Sequence, residues 1–76
     1  MPEAGTKSGA VRVVLNGAER SLEGVATVAD LVERLGFPVE RVAVELDGAI
    51  VRKAAYASTP VKEGAHLEIV SFVGGG

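Results

Sequence analysis

Val11, Val13 and Leu15 alternate with Arg12 and Val14 and run into Asn16-Gly17. A period of two places the first three on one face of a strand. Asn-Gly tolerates the paired positive φ values of a type I′ turn, so Ala18 to Leu22 is predicted to return antiparallel to the first strand. Glu23-Gly24 ends that pairing, and from Val28 the period changes. Val28, Leu31, Val32 and Leu35 fall at i, i+3, i+4 and i+7, the stripe of one helical face. Thr27 stands in the N-cap position, with Asp30 in the place of the usual glutamate of a capping box. Gly36 suits the residue after a helix end and Pro38 discourages continuation, which bounds the helix at Val28 to Leu35.

Alternation resumes in Val42, Val44 and Leu46 against Ala43 and Glu45, and Asp47-Gly48 signals a second hairpin with Ala49 to Arg52 as its short return strand. Lys53 to Pro60 has no clean period. Ala54 to Ala57 reads as one helical turn that lets Tyr56 cover an open end of the core with its hydroxyl hydrogen-bonded, a role that suits a tyrosine ring better than acid catalysis. Glu63-Gly64 turns the chain into a last strand, His66 to Ser71 or Phe72. That strand puts Leu67, Ile69 and Ser71 on one face and His66, Glu68, Val70 and Phe72 on the other. Either Val70 and Phe72 form a docking surface, or a twisted sheet edge or the helix end covers them. The expected core is Val13, Leu15, Leu22, Val28, Leu31, Leu35, Val44, Leu46, Ile50, Leu67 and Ile69. Five strands and one intervening helix imply an α+β fold. The consistent solution is a mixed sheet in the order 2-1-5-3-4, covered on one face by the helix, with strands 1 and 5 parallel and a right-handed crossover between them.

Composition narrows the functions this fold can serve. Seventy-six residues, 47% of them hydrophobic, describe one small domain. Residues 1–10 read as a flexible leader, 11–73 as the domain and 74–76 as a flexible tail. No apolar run approaches the roughly 20 residues that cross a bilayer, and no secretory signal opens the chain, so a soluble cytoplasmic protein with no membrane partner is expected. The net charge of −2 comes from eight basic and ten acidic residues in no long run of either sign. A clustered basic face is missing, and nucleic acid is not an expected partner. Without cysteine, with His66 as the single histidine and with dispersed carboxylates, no metal site is proposed. Ser8, Ser21, Ser58 and Ser71 lack the setting of a nucleophilic elbow or triad.

What chemistry remains lies in Val73-Gly74-Gly75-Gly76. Glycines have no Cβ, so Gly74 and Gly75 form a thread narrow enough to pass through a channel that excludes side chains. Such a thread would carry the α-carboxylate of Gly76 into another protein's catalytic cleft. A frayed terminus is the plainer reading of the tripeptide alone.

Six segments together resemble the ThiS family of β-grasp sulfur carriers: Val13-Val14-Leu15-Asn16-Gly17, Thr27-Val28-Ala29-Asp30-Leu31, Val42-Ala43-Val44-Glu45, Val51-Arg52-Lys53 with Tyr56, Gly64 with Leu67-Glu68-Ile69-Val70, and Val73-Gly74-Gly75-Gly76. The resemblance implies a β-grasp, ubiquitin-like fold and a carrier with no enzymatic turnover of its own. It implies that a ThiF-like partner adenylates the Gly76 carboxylate with ATP and magnesium, which this chain does not itself bind. A sulfur donor such as a cysteine desulfurase system then supplies sulfur for a thiocarboxylate, and a ThiG-like thiazole synthase uses it to build the thiamine thiazole. On this reading Val70 and Phe72 dock the partner, with Glu68 and Arg52 on the rim. Many family members end in a diglycine, so removal of Gly76 would shift the reactive carboxylate to Gly75. A MoaD-like carrier for molybdopterin synthesis, or a non-covalent β-grasp binding module, is the alternative.

Overall fold

A computed structural model describes residues 9–72. The expected leader up to residue 8, Val73 and the glycine tail lie outside the described residues. Strand β1 spans Ala10–Leu15, so it takes in the last residue of the expected leader, and β2 spans Ala18–Glu23. Asn16 and Gly17 between them have φ of 50° and 83°, the paired left-handed geometry that a tight two-residue hairpin needs. Helix α1 spans Val28–Leu35. Strands β3 (Val42–Leu46) and β4 (Ala49–Val51) form the second hairpin, and β5 is His66–Ser71. Val39–Arg41, which the sequence pattern leaves unassigned, is a short 3₁₀ turn. The helical turn around Tyr56 extends over Lys53–Ser58 and is also 3₁₀, so β4 ends at Val51, before Arg52.

The helix boundaries match the pattern because both ends are locally encoded. Thr27 Oγ1 accepts from the Asp30 backbone N–H at 3.2 Å, while Asp30 Oδ2 accepts from the N–H groups of Thr27 (3.1 Å) and Ala26 (2.9 Å). These bonds satisfy donors that the first helical turn otherwise leaves without partners. At the other end Gly36, with φ of 83°, donates back to the helix carbonyls. Thr27→Ala is expected to lower stability by about 1 kcal/mol. Urea unfolding measures it, and an unchanged midpoint would show that the cap contributes nothing.

The sheet order is β2-β1-β5-β3-β4, with β1 and β5 parallel and the other neighbours antiparallel. One face carries α1. Val28, Leu31 and Val32 are fully buried against Val13, Leu15, Leu22, Val44, Leu67 and Ile69, while Leu35 and Leu46 are partly buried at its edge. Val25, Val42, Tyr56, Val61 and Ala65 complete this core. The Tyr56 ring is buried, its hydroxyl finds no hydrogen-bond partner among the described residues, and desolvation raises its pKa above the ordinary phenol value.

Ile50 does not belong to the core. It is 75% exposed, because the two-residue Asp47-Gly48 turn pairs Leu46 with Ala49 and therefore Glu45 with Ile50. Directly paired residues share a face, so Ile50 joins Glu45 on the side away from the helix.

Both hairpin turns also grip β5 from its two sides. Asn16 Oδ1 accepts from the Ile69 N–H at 2.9 Å and Asn16 Nδ2 donates to the Ile69 carbonyl at 3.2 Å, continuing the β1–β5 ladder with a side chain. Asp47 Oδ1 accepts from the His66 N–H at 2.9 Å. At the start of the sheet, Glu63 accepts from the Arg12 backbone N–H (3.0 Å) and from Arg12 Nε (3.3 Å), which together hold its carboxyl below the usual glutamate range. The stabilisation from this pair is present above the ordinary glutamate pKa and is lost as pH falls through the lowered folded value. Both side chains are well exposed, so the contribution is small.

Candidate functional site: the open face of the sheet

Among the described residues, the face of the sheet opposite α1 carries no helix, and β5 runs through its middle. Alternation along β5 points Glu68 and Val70 at this face, and Phe72 continues the series one residue past Ser71. The Phe72 N–H donates to the Arg41 carbonyl at 2.7 Å, which holds the chain beside β3 up to the last described residue. Val70 and Phe72 are 56% and 54% exposed. Among the described residues, neither the sheet edge nor the helix end covers them.

Cross-strand register arranges their neighbours in two rows. Glu68 lies opposite Glu45, and Glu45 lies opposite Ile50. Val70 lies opposite Ala43, and the β3–β4 pairing ends at Val44 and Val51, with Arg52 the next residue along the chain. Arg52 is exposed and stands two strands from β5, roughly 10 Å away. Of the four residues expected at a docking surface, Val70, Phe72 and Glu68 share one face along β5, and Arg52 is exposed just past the end of β4.

Ile50 and Glu45 belong to the same face although the sequence pattern did not select them. Ile50 adds apolar surface, and Glu45 sets a second carboxylate directly across from Glu68, an arrangement that like charges disfavour within a sheet. The parity of the two-residue turn could have found Ile50. The Glu45–Glu68 pairing follows from the β3–β5 register, which no local signal encodes. Among the described residues neither glutamate forms an ion pair.

The described part of this face combines exposed apolar side chains, Val70, Phe72 and Ile50, with the carboxylates of Glu45 and Glu68. Among the described residues no group of three or more histidine or acidic side chains is placed to hold a metal ion, and no helix is long and apolar enough to cross a membrane. A depression of about 460 Å³ between Leu46, Asp47, Pro60, Lys62 and Ala65 lies at the end of β5 away from Phe72. Gly74, Gly75 and Gly76 lie outside the described residues, so the expected tail channel and reactive carboxylate have no described geometry.

The ThiS family model matches residues 13–76, nearly the whole domain together with the glycines. This chain belongs to the ThiS family. The crystal structure of a thiamine biosynthesis protein (ThiS) from Geobacter metallireducens superposes with a TM-score of 0.73 at 32% identity, covering 87% of this chain and all of that one. The solution structure of a thiamine biosynthesis protein from the same organism gives 0.74 at 32% identity, over 87% of this chain and 88% of that one. The mixed sheet with a single main helix is thus the β-grasp fold of the ThiS family. Two longer proteins are also similar. A thiazole synthase of Paramagnetospirillum magneticum is 44% identical over 66 residues, and a thiazole synthase of Magnetococcus marinus is 36% identical over the same length. The matched segment covers 87% of this chain but 20% of each of those proteins.

Proposed function

We propose that this chain is a sulfur carrier for thiamine synthesis, acting in the cytoplasm, and that the α-carboxylate of Gly76 carries the sulfur. The ThiS family match, which runs through Gly76 on a fold whose open face surrounds β5, is the observation that carries this reading. The similarity to proteins named thiazole synthase supports thiazole formation as the destination.

The chemistry needs activation because a carboxylate offers sulfur no good leaving group. A ThiF-like partner holding ATP and magnesium would join the Gly76 carboxylate oxygen to the α-phosphorus and release pyrophosphate. Sulfur delivered by a cysteine desulfurase system would then displace AMP from the acyl carbon: sulfide would leave the thiocarboxylate directly, and a persulfide would leave an acyl disulfide that a thiol reductant cleaves to the thiocarboxylate. A ThiG-like thiazole synthase would be the acceptor. This chain supplies the acyl terminus and the docking face, while its partners supply the nucleotide site and the catalytic groups. Gly74 and Gly75 make the approach narrow enough to enter the partner's cleft.

Mass spectrometry of the chain after incubation with ATP, a sulfur donor and the adenylating enzyme tests the proposal. Exchange of one terminal oxygen for sulfur is expected, with C-terminal sequencing placing it on Gly76, and ATP alone is expected to leave the chain unchanged. ATP hydrolysis by the purified chain, or delivery of its sulfur to molybdopterin synthase instead of thiazole synthase, would overturn the proposal.

Docking is proposed to rest on Val70 and Phe72, with Glu68 and Arg52 at the rim, because exposed apolar anchors dominate interfaces whose surrounding polar contacts are weak. Phe72→Ser is expected to weaken binding to the adenylating enzyme by about tenfold or more while leaving the melting temperature nearly unchanged. Titration of the variant against the enzyme measures this. Unaltered binding would remove Phe72 from the interface.

A further inference from the structure

Asn16 is the only side-chain amide in the chain, and glycine follows it. Gly17 has no Cβ to shield its amide nitrogen, so the Asn16 Cγ is open to attack by the following backbone nitrogen. In the fold, however, that amide is committed elsewhere. Its Oδ1 and Nδ2 hold the Ile69 N–H and carbonyl at 2.9 and 3.2 Å, and its own backbone N–H donates to the Leu67 carbonyl at 2.8 Å. Turning Cγ toward Gly17 breaks both side-chain bonds to β5.

We propose that Asn16 is a deamidation site which the fold protects through its clamp on Ile69, and that its conversion loosens β5. The Gly17 amide nitrogen gives up its proton to hydroxide and bonds to Asn16 Cγ. The Cγ–Nδ2 bond breaks, and the nitrogen takes up a proton from water and leaves as ammonia. Water then opens the succinimide at either carbonyl, giving aspartate or isoaspartate, with no oxidant or reductant involved. In either product the Nδ2 donor is gone. In aspartate a carboxylate oxygen stands where it met the Ile69 carbonyl, and in isoaspartate Cγ has become part of the main chain and the free carboxylate is the former α-carbonyl. Isoaspartate also adds a methylene to the main chain inside a turn whose geometry sets the register of the hairpin. The strand affected is the one that leads to Phe72. This inference is independent of the sulfur-carrier reading.

Asn16→Asp isolates the loss of the donor from any effect on the turn. Asp47 already occupies the matching position of the second hairpin with φ of 51°, so aspartate is compatible with this backbone. Two measurements test the proposal. First, the chain is held at mildly alkaline pH in buffer and in concentrated urea, and the mass gain from replacing NH₂ by OH is followed, with peptide mapping to locate it. Modification at residue 16 is expected to proceed at least about tenfold faster in urea, given two hydrogen bonds to break in the folded state. Equal rates in the two conditions would overturn the protection. Second, hydrogen exchange of the residue 16 and Ile69 amides is expected to be about tenfold faster in Asn16→Asp than in the parent chain. Unchanged exchange at both amides would overturn the clamp.

Discussion

Gly75→Val is expected to reduce adenylation of the terminus by about a hundredfold or more while leaving binding to the adenylating enzyme within a few-fold of normal. The separation arises because docking is assigned to the open face and the reaction to the thread beyond it. Valine's branched side chain widens that thread and restricts its backbone to the strand-like range, and glycine's freedom at this position is lost. Displacement of a reacting group by about 1 Å can cost two orders of magnitude in rate. Binding by titration and acyl-adenylate formation by mass spectrometry, run on the same sample, measure the two effects. Normal adenylation would mean that the terminus does not traverse a close-fitting channel. Loss of binding together with activity would place Gly75 in the docking surface.

Leu31→Ala is expected to produce the largest loss of stability. Leu31 is fully buried on the sheet-facing side of α1 with Val28 and Val32 beside it, so truncation removes apolar contacts and leaves a cavity that a short helix cannot collapse to fill. The cost is about 2 to 5 kcal/mol. A domain of this size shifts its melting temperature by roughly 4 to 8 °C for each kcal/mol. The variant should therefore melt at least about 10 °C below the parent, or be largely unfolded at ambient temperature. Calorimetry or urea unfolding decides, and a shift of a degree or less would mean that α1 does not depend on this contact. The contrast with Phe72→Ser is informative, since that ring is comparably apolar but more than half exposed and should barely affect melting.

Much of this architecture is legible along the chain because the deciding interactions are short-range. Thr27, Asp30 and Gly36 terminate α1 through bonds to residues within one turn, so the interval Val28–Leu35 follows from local chemistry. Asn16-Gly17 and Asp47-Gly48 specify two hairpins because each pair accepts positive φ. Alternation along β5 separates Leu67 and Ile69 from Val70 and Phe72, and the exposure of the latter pair bears out that division. Five strands, one intervening helix and a right-handed crossover led to the order 2-1-5-3-4, which the sheet has.

Where the pattern and the structure part, strand register and contacts distant in sequence are responsible. Ile50 is hydrophobic and lies in a strand, yet counting back through its two-residue turn pairs it with Glu45 on the open side, and parity overrides hydrophobicity. Val25, Val61 and Ala65 sit in connections without a period. They enter the core because backbone bonds from Val28 to Thr59, Val61 to Ala26 and Val14 to Ala65 fold those connections against the helix and sheet. Asn16 announces a turn, but only the arrival of β5 beside β1 gives its amide the Ile69 backbone to hold. Sequence by itself determined the helix with both its ends, the two hairpins, the last strand and the family resemblance. Tertiary structure decided which face each residue shares, because register joins residues that local propensity treats separately, and it thereby assembled Val70, Phe72, Glu68, Ile50 and Glu45 on one face that no other described element covers.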